Sequence, residues 1–368
     1  MKRIGLLVRH PAPYRDVAIE KLAENNKETD ITILCIKEVP ENHTEWQYKP
    51  NIKFLLLGKT IVLKVLGEYC PRITSVLHKE RYDLLIICGY YPLTMLLAIA
   101  YAWRTHTPYI FSCDTVKNGG FPKKFQKKIY DKAGAFWVPG NKTAEFLEGF
   151  GVPREKIFQG CYLNDLEPIV KAQAACDRSA LRADHHISEN EKVFLFVGNL
   201  IRSRNIELLL DAVKILEKQY TFKTIIIGGD GEDIELVEKA SKESDSLIYL
   251  GKVNYNQLHS YYAIADAYVH PGAEPYSLAF LEAAVSGLFL ISSDKVGAAK
   301  DFLVDDKTGK MVWENSLDEL VEAMKLVLND QYDVNELKKM RENILENRNN
   351  QWAAEQLEKA IEYSEKKK

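Results

Sequence analysis

Cysteine is scarce and scattered: six occur in 368 residues, with no Cys-x-x-Cys and no paired Cys/His spacing. That excludes a disulfide framework and a structural zinc site. Net charge is nearly absent too. The 49 basic and 52 acidic side chains leave −3 overall, which argues against a dedicated nucleic-acid binder. No Asp-x-Asp is present to hold a divalent metal against a diphosphate, so any nucleotide phosphates must be neutralised by protein groups. Gly58-Lys59-Thr60 resembles the end of a phosphate loop, but Lys53 stands where its first glycine is needed. Gly229-Asp-Gly231 lacks the third glycine of a dinucleotide fingerprint, Ile234 taking that place. There is no internal repeat and no low-complexity segment.

Long hydrophobic runs are equally rare. Residues 84–103 carry no charge over twenty positions, the length of a transmembrane helix. Gly89-Tyr-Tyr-Pro92 breaks that run, and it opens on Leu-Leu-Ile-Ile-Cys, so a buried strand, a turn and a buried helix are predicted. The N-terminus is apolar for only five residues before Arg9, too short for a signal peptide. The Asn-Lys-Thr at Asn141 is therefore not expected to meet a glycosylation machinery. A cytoplasmic protein is expected, soluble or at most peripheral on the inner face of the plasma membrane.

What the chain does have is globular composition, 46% hydrophobic and 27% charged, and enough length for two domains. Its charge is unevenly spread: residues 1–165 sum to +7 and the remainder to −10. Such a split points to two surfaces with different partners, the first facing an anionic one. Short β-type runs recur, each followed by a turn and a helical pattern. They fall at residues 4–8, 31–36, 84–88, 109–112 and 135–138, with amphipathic stretches such as 18–25 and 143–150 interleaved. After an aperiodic stretch at 159–190, read as the linker, the pattern restarts at 193–197, 224–227, 247–250, 267–270 and 288–292. Continuous apolar strands alternating with helices imply parallel sheets covered on both faces. The expected fold is α/β: two doubly wound parallel-sheet, Rossmann-like domains facing across a cleft. In such sheets ligands bind beyond the carboxyl ends of the strands, so the residues just after each strand are the ones to read for chemistry.

The strongest signal of this kind is Glu274-Pro-Tyr-Ser-Leu-Ala-Phe-Leu-Glu282. Ser277 is placed to cap an apolar helix that begins at Leu278 and stops at Ser286-Gly287. The helix start offers free N–H groups and a dipole that favour an anion. Glu282, inside that helix, needs a donor partner, because a carboxylate buried unpaired costs several kcal/mol. Sugar or ribose hydroxyls would supply one; a lysine salt bridge, with Glu274 a plain loop acid, is the alternative.

With these residues in view, the second half resembles the donor domain of the family 4 glycosyltransferases, which have the GT-B fold and a Glu-x7-Glu motif, here of bacterial surface-polysaccharide type. The matching blocks are ordered along the chain: Gly198-Asn-Leu-Ile-Arg-Ser-Arg204, Ile226-Ile-Gly-Gly-Asp-Gly-Glu232, Tyr249-Leu-Gly-Lys-Val253, Ala265-Asp-Ala-Tyr-Val-His-Pro271, the Glu274/Glu282 pair, Val296-Gly-Ala-Ala and Thr308-Gly-Lys-Met-Val312. The resemblance implies an acceptor-binding domain at 1–165 and a donor-binding domain at 166–351, with a C-terminal helix at 352–368 packing back on the first. It implies that Glu274 sits by the transferred sugar and that Glu282 binds the ribose hydroxyls. Amides of Ser277 and Leu278 would meet the diphosphate, and the backbone of Lys252-Val253 would read the base. Gly198, Asn199 and Tyr276 complete the donor side. Arg204 stands where the family usually has a phosphate-binding Lys, and offers an always-ionised fork to the departing diphosphate. The departures are Asn199 for a second cation, Ser277 and Asn205 for Gly, and Phe289 for Pro.

In the first half, Asp114 follows a strand and is the candidate polar group near the reacting carbon, unless it only caps a turn. Cys113 stands where family members often have His. His10, Tyr14 and Arg15 follow the first strand and face the acceptor or the diphosphate, although a lone strand-end His is more often structural. Residues 121–132 hold the main basic feature. Phe121, Phe125 and Ile129 recur every four residues beside Lys123, Lys124, Lys127 and Lys128. This helix either rests on anionic lipid or packs its apolar stripe inward.

The resulting expectation is a retaining, metal-independent hexosyl- or N-acetylhexosaminyl-transferase without a cofactor. It would move sugar from a nucleotide-diphosphate donor, a UDP-sugar first among them, to a glycan or lipid-linked acceptor in surface polysaccharide synthesis. An anionic membrane surface is a candidate partner and nucleic acid is not. A same-fold nucleotide-sugar epimerase and a non-catalytic nucleotide-sugar-binding subunit are the alternatives.

Overall fold

The structure is a computed structural model that describes residues 1–38, 52–114, 122–163 and 165–366. The chain divides into two compact units, one made of Met1–Asn164 with Arg348–Lys368 and the other of Asp165–Asn347.

The first unit runs β1 (Lys2–Val8), α1 (Pro13–Asn25), β2 (Thr29–Cys35), β3 (Lys53–Leu56), β4 (Ile61–Leu63), β5 (Gly67–Tyr69), α2 (Ile73–Glu80), β6 (Leu84–Cys88) and α3 (Leu93–Thr105). It continues through β7 (Tyr109–Ser112), α4 (Lys123–Lys132), β8 (Ala135–Val138), α5 (Asn141–Glu148) and β9 (Ile157–Gln159). Its parallel sheet has the order β3-β2-β1-β6-β7-β8-β9, with β4 and β5 forming a separate antiparallel hairpin. Ile4 pairs with Ile31 on one side and Leu84 on the other, so the strand order reverses between β1 and β6. Ile4, Leu6, Leu7 and Val8 are fully buried, as a strand covered on both faces requires. The uncharged run at 84–103 is indeed a strand, a turn and a helix, β6 leading into α3. Among the described residues no helix is long and apolar enough to cross a membrane.

The second unit runs α6 (Glu167–Ala175), α7 (Arg178–Asp184), β10 (Lys192–Val197), α8 (Ile206–Leu216), β11 (Phe222–Ile227), α9 (Ile234–Glu243), β12 (Leu247–Gly251) and α10 (Tyr255–Ile264). Then come β13 (Ala267–His270), α11 (Leu278–Val285), β14 (Phe289–Ser293), α12 (Ala299–Phe302), β15 (Gly309–Val312), α13 (Leu317–Leu328) and α14 (Val334–Asn347). Its parallel sheet has the order β12-β11-β10-β13-β14-β15, reversing between β10 and β13. The last helix, α15 (Asn350–Glu365), belongs to the first unit, where it lies against α1, β8 and β9.

The stretch read as an aperiodic linker holds two helices. Both are short, and the second is secured by groups that periodicity does not register. Asp177 caps α7 by accepting from the Ala180 N–H at 2.9 Å. Arg182, 1% exposed, donates to the carbonyls of Ile264, Ser188 and Glu191, replacing hydration with backbone acceptors.

Candidate active site

The loops that leave the sheet at the β10/β13 reversal carry the residues singled out in the second unit. At the end of β13 the chain turns through Pro271-Gly-Ala into Glu274, and α11 starts at Leu278 as expected. Ser277 is its N-cap, the hydroxyl accepting from the Phe280 N–H at 3.2 Å, and the helix ends at Ser286 before the left-handed Gly287. Phe280, Leu281 and Val285 are fully buried, each contributing on the order of 1.5–3 kcal/mol. This apolar contribution anchors a helix that also buries a carboxylate.

That carboxylate, Glu282, is 3% exposed. Two tyrosine hydroxyls from α10 donate to it, Tyr255 to Oε1 at 3.2 Å and Tyr262 to Oε2 at 3.0 Å. Burial and then the charge of Glu282 push both tyrosine pKa values up, so both phenols stay protonated as donors. The donor requirement is therefore met inside the fold. Tyr255 is 38% exposed, so this network runs from the core to the surface.

Glu274 sits in a different cluster. Arg204 Nη2 donates to its Oε1 at 2.7 Å, while Arg204 Nη1 reaches the Ala273 carbonyl at 2.6 Å. His270 Nε2 donates to its Oε2 at 2.9 Å; an ionised carboxylate only accepts, so Nε2 carries the proton. Burial pushes the Glu274 carboxyl up. The hydrogen bond and attraction of His270, then the Arg204 guanidinium, outweigh that push and hold it below its ordinary value. The cluster depends on close backbone approach. A Cβ on Gly272 would lie 2.2 Å from the Arg204 carbonyl carbon, and one on Gly297 only 1.7 Å from the Pro275 carbonyl oxygen. The Gly297 N–H bonds the Glu274 carbonyl at 2.9 Å, fixing the loop from its other side.

His270 was not singled out in the sequence. It is 1% exposed, and its Nδ1 has no hydrogen-bond partner among the described residues. The available signal was its position, ending a strand four residues before Glu274. Tyr255 and Tyr262 were equally unmarked, since only the fold pairs them with Glu282.

Around this cluster, Gly198 and Asn199 follow β10, Asn199 exposed and Gly198 half-buried. Lys252 and Val253 follow β12, and Tyr276 is 9% exposed beside the cap. Arg202 projects to solvent, its guanidinium only 3.9 Å from Glu232.

In the first unit the β1/β6 reversal carries a cavity of about 390 Å³, lined in part by Arg15, Cys88, Tyr91, Ser112, Asp114 and Tyr162. Arg15 is 6% exposed. Its Nη2 donates to the His10 carbonyl at 3.0 Å and pairs with Asp16 at 3.0 Å. Burial opposes its charge, but Asp16 together with weaker contributions from Cys88, Tyr14 and Tyr162 outweighs it and keeps the guanidinium ionised. Asp114 accepts from the Tyr162 hydroxyl at 3.0 Å, and Tyr162 meets Tyr14 edge to face at 4.8 Å. The His10 Nδ1 lies 3.1 Å from the Pro11 carbonyl.

On α4 the structure corrects one reading. Ile129 is fully buried and Phe125 packs against the same core, so the apolar stripe turns inward and Phe125 is not a free lipid-facing side chain. Phe121 lies outside the described residues. The lysines occupy the surface: Lys123 and Lys124 are exposed, Lys127 pairs with Asp131 at 2.7 Å, and Lys128 stands over the Trp103 ring at 5.4 Å.

Two doubly wound parallel sheets, each with its polar cluster at the strand-order reversal, define the GT-B class of fold. Within it, residues 177–350 match the family model described as Glycosyl transferases group 1. An uncharacterised glycosyltransferase of Methanocaldococcus jannaschii is 30% identical over 162 residues, 42% of this chain and 41% of the relative. An alpha-monoglucosyldiacylglycerol synthase of Acholeplasma laidlawii is 28% identical over 203 residues, 54% of this chain and 46% of the relative. The matches thus span less than half the length of these curated relatives. The crystal structure of Anabaena HepE in complex with UDP and glucose superposes with a TM-score of 0.72 at 13% identity, covering 98% of this chain and all of that one.

Proposed function

We propose that the protein is a glycosyltransferase that moves a hexosyl or N-acetylhexosaminyl group from a UDP-sugar to a glycan or lipid-linked acceptor. The second unit receives the donor and the first the acceptor. The observation that carries this reading is the Arg204–Glu274–His270 cluster, set beside the start of α11 at the sheet reversal of a group 1 domain. The names of similar proteins support the substrate class: HepE was solved with UDP and glucose, and one relative is named for glucosylating a diacylglycerol.

In this reading Arg204 uses two donors to stay fixed and has further N–H groups for phosphate oxygens. The amides of Ser277 and Leu278 add the helix-end field. As the bond from the sugar carbon to the diphosphate breaks, the electron pair leaves with UDP and is stabilised by these groups. Glu274, held ionised, fixes sugar hydroxyls, and Glu282 takes ribose hydroxyls alongside its tyrosines. Lys252 and Val253 flank the base. The acceptor hydroxyl oxygen bonds the sugar carbon with retention and without a metal while its proton passes to the departing diphosphate, and Asp114 is the polar group assigned to the acceptor side. The lysines of α4 hold the enzyme to an anionic inner membrane face, where it serves surface-polysaccharide assembly.

Calorimetry with UDP, and NMR of the product formed from UDP-glucose and octyl glycosides, test the proposal. Binding of UDP and an α-configured product are expected. A protein that binds no nucleotide, or one that converts the donor sugar with no acceptor present, would refute it.

A further inference from the structure

The two oxygens of Glu282 are held in different surroundings. Oε2 accepts from Tyr262, a fully buried residue whose hydroxyl also lies 3.4 Å from the Ala279 carbonyl, so this bond belongs to the packing of α10 on α11. Oε1 accepts from Tyr255, which is 38% exposed, and this bond is only partly buried. Oε1 is therefore the oxygen nearer to solvent.

Tyr255 is placed by features that do not involve its hydroxyl. It is the first residue of α10, directly after Lys252-Val253-Asn254. Its ring meets that of His259, one turn further on, edge to face at 4.7 Å and 76°, and His259 is itself buried. The hydroxyl is thus carried to Glu282 on a ring that the fold holds in place. The receiving carboxylate needs such a restraint. The last torsion of a glutamate joins an sp3 to an sp2 carbon and has only a broad preference, so covalent geometry does not set the carboxylate plane. Hydrogen bonds at both oxygens do. An ionised carboxylate oxygen accepts more than one such bond, so a ligand hydroxyl can join the tyrosine at Oε1 without displacing it.

What this arrangement does for a ligand rests on the reading just proposed, in which Glu282 takes ribose hydroxyls. We infer that Tyr255 is a positioning residue for that contact: it presents the solvent-side oxygen of Glu282 to the ribose diol, and it adds to nucleotide affinity only for ligands that carry those hydroxyls. An acceptor already held in its bound orientation lowers the ordering cost of binding. Tyr262, on the buried oxygen, supports the fold instead.

The test is calorimetry on the full chain with two probes, UDP and its dideoxy analogue, which lacks both ribose hydroxyls. Wild type should bind UDP more tightly than the analogue. Tyr255→Phe keeps the ring on His259 and removes only the hydroxyl. It should weaken UDP about tenfold, matching one hydrogen bond to a charged group, and leave the analogue within about twofold. Tyr262→Phe should change the ratio of the two affinities less than Tyr255→Phe does. A general loosening of the fold would weaken both probes alike, so the ratio separates positioning from stability. An unchanged ratio in Tyr255→Phe, a tighter UDP complex, or an equal fall in Tyr262→Phe overturns the inference. If wild type binds neither probe, the functional reading itself has failed. If it binds both equally, the ribose assignment of Glu282 has failed and this inference with it. If it prefers UDP and Tyr255→Phe keeps that preference, only the role of Tyr255 has failed.

Discussion

His270 Nε2 lies 2.9 Å from Glu274 Oε2, an imidazole donor bonded to a carboxylate four residues further on. The pair is fixed by a strand end and a loop that Gly272 and Gly297 allow to approach neighbouring backbone closely. Arg204 completes it from β10's side of the sheet reversal.

The first prediction concerns pH. Burial alone would raise the Glu274 carboxyl, and His270 is the largest influence acting against it. Replacing it by His270→Phe should move the acid limb of the kcat/KM profile to higher pH. His270→Gln, which keeps an N–H donor, should move it less. The stability linkage has the matching sign. A depressed carboxyl pKa stabilises the fold above the ordinary value, and that contribution is lost as pH falls through the folded value. Superimposable acid limbs for wild type and His270→Phe would show that the imidazole does not tune Glu274.

Glu282 offers a second test. Glu282→Ala removes the carboxylate acceptor of two tyrosine hydroxyls and leaves the buried Tyr262 only the Ala279 carbonyl at 3.4 Å, at a cost of about 1–3 kcal/mol, besides removing the proposed ribose acceptor. Tyr262→Phe leaves the carboxylate present. UDP calorimetry should therefore show binding lost in Glu282→Ala and largely kept in Tyr262→Phe, with urea unfolding used to confirm that both fold. Equal UDP affinity in Glu282→Ala and wild type would count against the ribose assignment.

Ser277 occupies a position where Gly is usual in the family that the second half resembles. Because its hydroxyl caps α11, Ser277→Ala should lower stability by about 1 kcal/mol and Ser277→Gly by only a few tenths. Urea midpoints of the two variants give the comparison; a midpoint unchanged from wild type in Ser277→Ala would mean that the cap contributes nothing.

In the first unit, Glu68 on β5 receives Arg9 at 2.6 Å and Lys37 at 2.7 Å, tying the hairpin to the loops after β1 and β2. Burial opposes the charge, but the Lys37 and Arg9 hydrogen bonds prevail and lower the carboxyl to about 2. Glu68→Gln should cost about 1–3 kcal/mol near neutrality, allowing for the partly exposed partners. The difference should fade below the ordinary value of 4.5 and vanish near 2. Thermal unfolding across that range reads it directly.

The strands and their order of appearance were legible because buried parallel strands are continuous apolar runs, and 84–88, 109–112, 135–138 and 267–270 coincide with β6, β7, β8 and β13. The cap at Ser277 and the stop at Gly287 were legible for local reasons of the same kind. What sequence could not supply was pairing at a distance. Nothing local says that Tyr262 answers Glu282, that Arg204 meets Glu274 across 70 residues, or that Tyr162, in the stretch read as linker, donates to Asp114. β9 and the β4–β5 hairpin were missed because three-residue strands carry no period. The inward turn of Phe125 was open in principle, since a basic amphipathic helix has one pattern whether it covers a core or a lipid surface.

The chain leaves one of its units at residue 164 and comes back to it at 348, where α15 covers α1, β8 and β9. The two halves of the protein are therefore unequal as pieces of a gene. Residues 165–347 form one continuous stretch of sequence that carries His270, Glu274, Arg204 and Glu282 together, whereas its companion is written in two instalments. A nonsense codon after residue 347 would spare every residue of the uninterrupted unit, yet remove Tyr363 from the Phe158 ring it meets at 6.0 Å at the far end of the other sheet. Damage from a late truncation should accordingly surface in the part of the molecule encoded first.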